Sequence, residues 1–144
     1  MSVAYAQLFC RIALGIGFIS ADMDRVGYLG PPGTHGVSWG NWENFFLYSK
    51  NLMYYLPDSL IQVFAVTASL AELVFGLALI FGLFTRTTSI LSGILLLCFA
   101  LAMTFSMGLH APLSYSVYTA SAAAFLLSVV DNYRWSIDAM INKS

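Results

Sequence analysis

The sequence predicts an all-α fold: an integral membrane four-helix up-down bundle with a long aromatic first loop that carries a short interfacial helix. Three observations predict it. The first is composition: of 144 residues, 59% are hydrophobic and 9% are charged, with a mean hydropathy of +0.78. A soluble domain carries about a quarter charged residues, because its surface must be wetted. Six Lys plus Arg and seven Asp plus Glu cannot build such a surface. The second is four apolar stretches that reach or approach the about 20 residues a helix needs to cross a hydrocarbon core. The third is that two of the three connections are short, which forces sequential helices to run antiparallel. A formal net charge of -1 offers no basic face to a phosphate backbone, so nucleic acid is excluded as a partner.

The predicted spans cover about 3–25, 59–84, 87–110 and 113–131, within a single domain over 1–144. The first is interrupted only by Arg11; without a basic leading region or a small-residue cleavage pattern, it reads as a retained span rather than a signal peptide. Pro57-Asp58-Ser59 precedes the second, where Asp58 or Ser59 can cap free N–H groups. Gly82 to Thr87 make a short turn into the third. Pro112 separates the third from the fourth, since proline cannot continue a helix interior. In the first loop, Trp42, Phe45, Phe46, Ser49 and Met53 share one helical face, which predicts a short helix at the interface, where aromatic side chains gather. Arg86, Arg134 and Lys143 fall on the side of both termini and Arg25 and Lys50 on the other, so the excess of positive charge places both termini in the cytoplasm.

Ionisable side chains inside spans cost about 2.5–3.5 kcal/mol on insertion scales and face the bundle interior with a partner. Arg11 and Glu72 are the clearest cases. At 1.5 Å per residue their depths differ by about 6 Å, within reach of an arginine, so the two charges can meet. The pair is then either a structural lock between the first two helices or a polar spot in a ligand cavity, with Glu72 able to accept a proton. A second group, Asp22, Asp24, Arg25 and His110, gathers at the far mouth. Asp22 lies three helical turns beyond Arg11 on the same face. The group has neither the histidine count nor the spacing of a metal site. Cys10 and Cys98 lie inside apolar runs and read as small buried residues. Gly15, Gly17, Ser69, Gly76 and the run from Ala120 to Ala124 permit close helix approach.

Several of these segments resemble one family. The first span, CRIALGIGFISADMDRVG, resembles the opening of the DoxX-like membrane proteins. LAELVFGLALIFGLFTR is similar to that family's Glu-Leu-x-x-Gly helix followed by Gly-x-x-x-Arg. DNYRWSID is similar to its closing Gly-Arg-x-Ser-hydrophobic-Asp segment, with Asp131-Asn132-Tyr133 where glycines are usual. The aromatic SWGNWENFF resembles a subgroup with a long first loop. The resemblance covers nearly the whole chain and points to Arg11, Glu72, Arg86, Arg134, Ser136 and Asp138. It implies a four-helix membrane protein, with relatives that include the small subunit of a quinone-linked oxidoreductase and a maturation protein for an amine-oxidising enzyme.

Three functions follow as expectations. One is a small membrane subunit of a redox or quinone-linked system, binding quinone or another lipophilic ligand around Arg11 and Glu72. Another is an assembly or maturation factor for a membrane protein partner, met through the small-residue face of Ala120 to Ala124. The least favoured is a small-solute permease, which four spans would support only as a homo-oligomer. The sequence holds no nucleophile with its base, no cysteine pair and no set of histidine ligands, so any redox group belongs to a partner or a bound ligand.

Overall fold

The computed structural model describes residues 2–141; Lys143, counted above toward orientation, lies outside them. The fold is all-helical, with seven helices among the described residues: α1 (Val3–Arg25), α2 (Trp42–Leu52), α3 (Asp58–Phe81), α4 (Thr85–Met107), α5 (His110–Ser114), α6 (Val117–Ser128) and α7 (Ile137–Ile141). Three of them, α1, α3 and α4, are long and apolar enough to cross a membrane. α1 packs on α3 and α6, and α4 packs on the same two helices.

The fourth stretch differs from expectation. Instead of one helix over 113–131, the chain makes the five-residue α5, breaks at Ser116 in the left-handed region (φ 58), and resumes as the twelve-residue α6. Twelve residues rise only about 18 Å, too little to cross a hydrocarbon core alone. Pro112 stands inside α5, close to its start, so the chain turns not at the proline but at Ser116. The start of α3 also differs. Pro57 occupies the capping position, no side chain caps it, and Asp58 instead pairs with Lys50 of α2.

Beside an apolar core at Phe18, Leu79 and Leu127, many polar side chains are buried while large apolar ones face outward. Gln7, Arg11, Glu72, Thr85, Ser89, Ser92 and Ser121 are buried, while Phe9, Val63, Leu70, Val74, Phe105 and Leu126 are exposed. Water would penalise that outer surface, and a lipid phase would not. Small residues set the helix spacing. A Cβ added to Gly15 would lie 2.8 Å from the Gly76 carbonyl oxygen, and one on Gly76 would lie 3.1 Å from that of Gly15, so α1 and α3 meet backbone to backbone. On α6, Ser121 donates to the Gly93 carbonyl of α4 (2.8 Å) and Ala124 is fully buried. The run expected to meet a partner thus turns these residues inward against α4.

Candidate functional site

Two buried arginines organise opposite ends of α1. Arg11, with no exposed surface, spends all five guanidinium N–H groups on neutral oxygens. Nε donates to the Leu79 carbonyl (2.9 Å) and Nη2 to the carbonyls of Ile80 (3.2 Å) and Trp135 (3.1 Å). Nη1 donates to the Arg134 carbonyl (3.3 Å) and to the Gln7 side-chain oxygen (3.4 Å). Leu79 and Ile80 belong to the last turn of α3, whose carbonyls lack helical partners and carry the negative end of the helix dipole. The guanidinium satisfies them and ties down the C-terminal segment in the same stroke. Gly82 makes room. It sits at φ 69, and a Cβ there would strike the Ser136 Cβ and come within 2.8 Å of Arg11 Nη2. Asp138 closes the joint by accepting from the backbone N–H of Phe84 (2.8 Å) and Thr85 (2.7 Å), capping α4. Ser136 accepts from Ala139 N–H at the start of α7. Beside them, burial pushes the Tyr133 phenol up, the nearby Arg86 guanidinium acting in the opposite sense.

Arg25 ends α1 and is also buried, but its surroundings are anionic. Nη1 donates to the Asp22 carboxylate (3.0 Å), to the Ser69 hydroxyl (2.7 Å) and to Glu72 Oε2. The guanidinium carbon lies 4.2 Å from the ring centre of Phe45 and 5.3 Å from that of Trp39, so two aromatic faces cover it. Trp39 in turn packs on Phe45 and Tyr48, and Phe45 on Trp42. Asp24 holds this cover in place. Its carboxylate accepts from the N–H groups of Ser38 (2.8 Å), Trp39 (3.2 Å) and Gly40 (2.9 Å), fastening the loop to the end of α1. Unlike Arg11, Arg25 is not saturated. Its Nε and the Asp22 Oδ2 are both buried without a hydrogen-bond partner, a state that costs free energy unless something else supplies the bond.

The expected Arg11–Glu72 contact is therefore corrected: Glu72 pairs with Arg25. Gly15 lies against Gly76, a register that puts Glu72 about 9 Å along the axis from Arg25 and about 12 Å from Arg11, and side-chain direction widens the difference. Helical Cα–Cβ bonds tilt toward the helix N-terminus. On α1 that sends Arg11 outward to the end of α3, away from Glu72, and sends Arg25 inward toward it. His110 is corrected as well. It is exposed at the start of α5 and bonded to Ser114 (3.1 Å), not part of the Asp22–Arg25 group. Asp24 faces the loop amides rather than a shared opening. Asp22 faces Arg25 rather than sharing a site with Arg11. The side chains of Arg86 and Arg134 are exposed; Arg134 serves through its carbonyl.

Gln7, Ser69, Trp39 and Phe45 complete the two sites; of these the sequence reading took Ser69 only for helix packing and Phe45 only for the interfacial helix face, and did not assign Gln7 or Trp39. The i, i+3 spacing of Asp22 and Arg25 and the N-terminal tilt of helical side chains are the signals that could have found the second. A cleft of about 910 Å3 opens at the Arg11 end among Val3, Val130, Tyr133, Arg134 and Trp135, away from the Arg25 group. It is an open groove between the start of α1 and the C-terminal segment; among the described residues the buried side-chain atoms without a partner are Arg25 Nε, Asp22 Oδ2 and the hydroxyls of Thr85, Ser89 and Ser92 on α4. No group of three or more His, Cys, Asp or Glu able to hold a metal ion occurs among the described residues. No family model, no curated protein and no solved structure matches the chain.

Proposed function

We propose that this chain is an integral membrane protein of the DoxX type, crossing the bilayer four times with both termini in the cytoplasm. In this reading it is a small membrane subunit of a redox or quinone-linked system, holding the polar head of a lipophilic molecule at Asp22, Arg25, Ser69 and Glu72. The pattern of buried polar and outward-facing apolar side chains supports a bilayer as solvent. α5 and α6 hold 5 and 12 residues within 110–128, about 26 Å of helix in all, near the thickness of a hydrocarbon core. They supply the fourth crossing, with α2 lying at the mouth as an aromatic cover.

The observation that carries the ligand reading is the pair of unpartnered buried atoms, one donor at Arg25 Nε and one acceptor at Asp22 Oδ2. A quinol hydroxyl can accept from Arg25 Nε and donate to Asp22 Oδ2, while a quinone carbonyl answers the first alone. The rings of Trp39 and Phe45 lie against the same guanidinium, so the head reaches it by displacing them. When bound, the ligand supplies the redox chemistry; the chain binds it and keeps water out.

The test is mass spectrometry and an absorption spectrum of the protein purified from native membranes in a mild detergent. A stoichiometric lipophilic molecule that is lost in Glu72→Gln, with the fold retained, is the expected result. A co-purifying membrane protein and no small molecule would replace this reading with an assembly factor.

A further inference from the structure

Two carboxyl groups share a single guanidinium. Asp22 and Glu72 both bond Arg25 Nη1, and Ser69, the remaining partner of that nitrogen, is neutral. With both carboxyls ionised the group would carry one uncompensated negative charge, in a place where Arg25 and Glu72 keep only 5% of their side-chain surface exposed. Two carboxylates this close, away from water, do not both ionise when a shared proton is the alternative. One oxygen is placed for that proton: Asp22 Oδ2 is buried and receives no hydrogen bond.

Other charged or titratable groups at this end do not supply the missing positive charge. Asp24 on α1 brings no positive charge and accepts from three loop amides. On α2, Tyr48 is a phenol bonded to the Met107 sulfur of α4, and Lys50 is engaged with Asp58 of α3 on the surface. His110 of α5 is exposed beside Ser114, and Tyr115, just after α5, is likewise exposed.

We infer that Asp22 and Glu72 jointly bind one exchangeable proton, making this group a proton site within the helices. Asp22 retains 16% of its side-chain surface and Glu72 only 5%. Exchange with water therefore runs through Asp22. On release, the carboxyl O–H bond breaks, the proton passes to water, and the group moves from neutral to one negative charge. On uptake the steps reverse. The inference rests on the membrane placement proposed above and needs no lipophilic ligand.

Infrared spectroscopy of the full chain in liposomes tests it, after protease protection has established insertion. Exposed carboxyls titrate near about pH 4, so at neutral pH a protonated-carboxyl absorption isolates the shared proton. About one such group per chain is expected, shifted by carboxyl-13C labelling of Asp or Glu, and exchanged in heavy water. It should vanish in Asp22→Asn and in Glu72→Gln, each of which leaves one carboxylate for one guanidinium. No protonated carboxyl in the inserted wild type, or a band that persists in both variants, overturns the inference. Should either variant fail to fold, the labelling of the wild type decides alone: a band that neither label shifts overturns it. Failure of the chain to insert would instead sink the membrane placement.

Discussion

Arg11 and Arg25 stand fourteen residues apart on one helix, both buried, and they differ in almost every other respect. Arg11 meets five neutral oxygens, four of them backbone carbonyls, and has no donor left over. Arg25 meets two carboxylates, one hydroxyl and two aromatic rings, and keeps a buried donor without a partner. The difference separates a saturated buried cation from one with bonding capacity left. Saturation by backbone fixes a joint, because every bond depends on the fold and none can be exchanged. A surplus of carboxylate with spare bonding capacity leaves something for a ligand or a proton to do.

The comparison breaks first at Arg11. Arg11→Ala removes five hydrogen bonds and leaves buried carbonyls unsatisfied; a loss of about 3–5 kcal/mol is expected, read as a collapse of the thermal unfolding midpoint in mild detergent. Arg11→Lys should recover only part of it, since an ammonium has three donors and no fork. Next is Gly82→Ala at the same joint. A side chain at φ 69 against Ser136 and the guanidinium should cost about 2–3 kcal/mol, measured in the same way. Asp138→Ala, which strips the cap from α4, should cost about 1 kcal/mol.

Glu72→Gln sharpens the contrast from the other side. Glutamine preserves shape and an acceptor for Arg25, while Asp22 still balances the charge. Stability should change by less than about 1 kcal/mol while binding of the proposed lipophilic molecule is lost. If Glu72→Gln instead unfolds the protein as Arg11→Ala does, both arginines are structural and the distinction is gone. The smallest effect concerns Tyr133, whose phenol donates to the Leu127 carbonyl (3.0 Å) and is pushed up by burial. A raised value in the folded state means stability is complete below about pH 10 and falls as alkali ionises the phenol. Loosening of the C-terminal segment above that pH, followed by proteolysis, should be absent in Tyr133→Phe.

Much of this was legible in the residues themselves. Sparse charge and long apolar runs yielded α1, α3 and α4 nearly to their ends, because backbone hydrogen bonding in an apolar stretch has few alternatives to a helix. Gly82 marked the turn between α3 and α4, and the face of Phe45 and Ser49 marked α2. The buried side chains Arg11, Asp24, Arg25 and Glu72, and the half-buried Asp22, were singled out because isolated charges in apolar runs are costly and must be answered. Their partners were not. Counting rise from the expected span ends left Arg11 within reach of Glu72, whereas the register set by Gly15 on Gly76 separates them by about 12 Å.

Tertiary structure decided who answers whom. The tilt of helical side chains turned Arg11 toward the carbonyls of α3 and the C-terminal segment, and turned Arg25 toward Glu72. It folded the aromatic loop back over Arg25 through three amides on Asp24, and it divided the last apolar stretch at Ser116. A charge in a sequence announces a cost; only three-dimensional packing determines which group offsets it and which is left with a bond to offer.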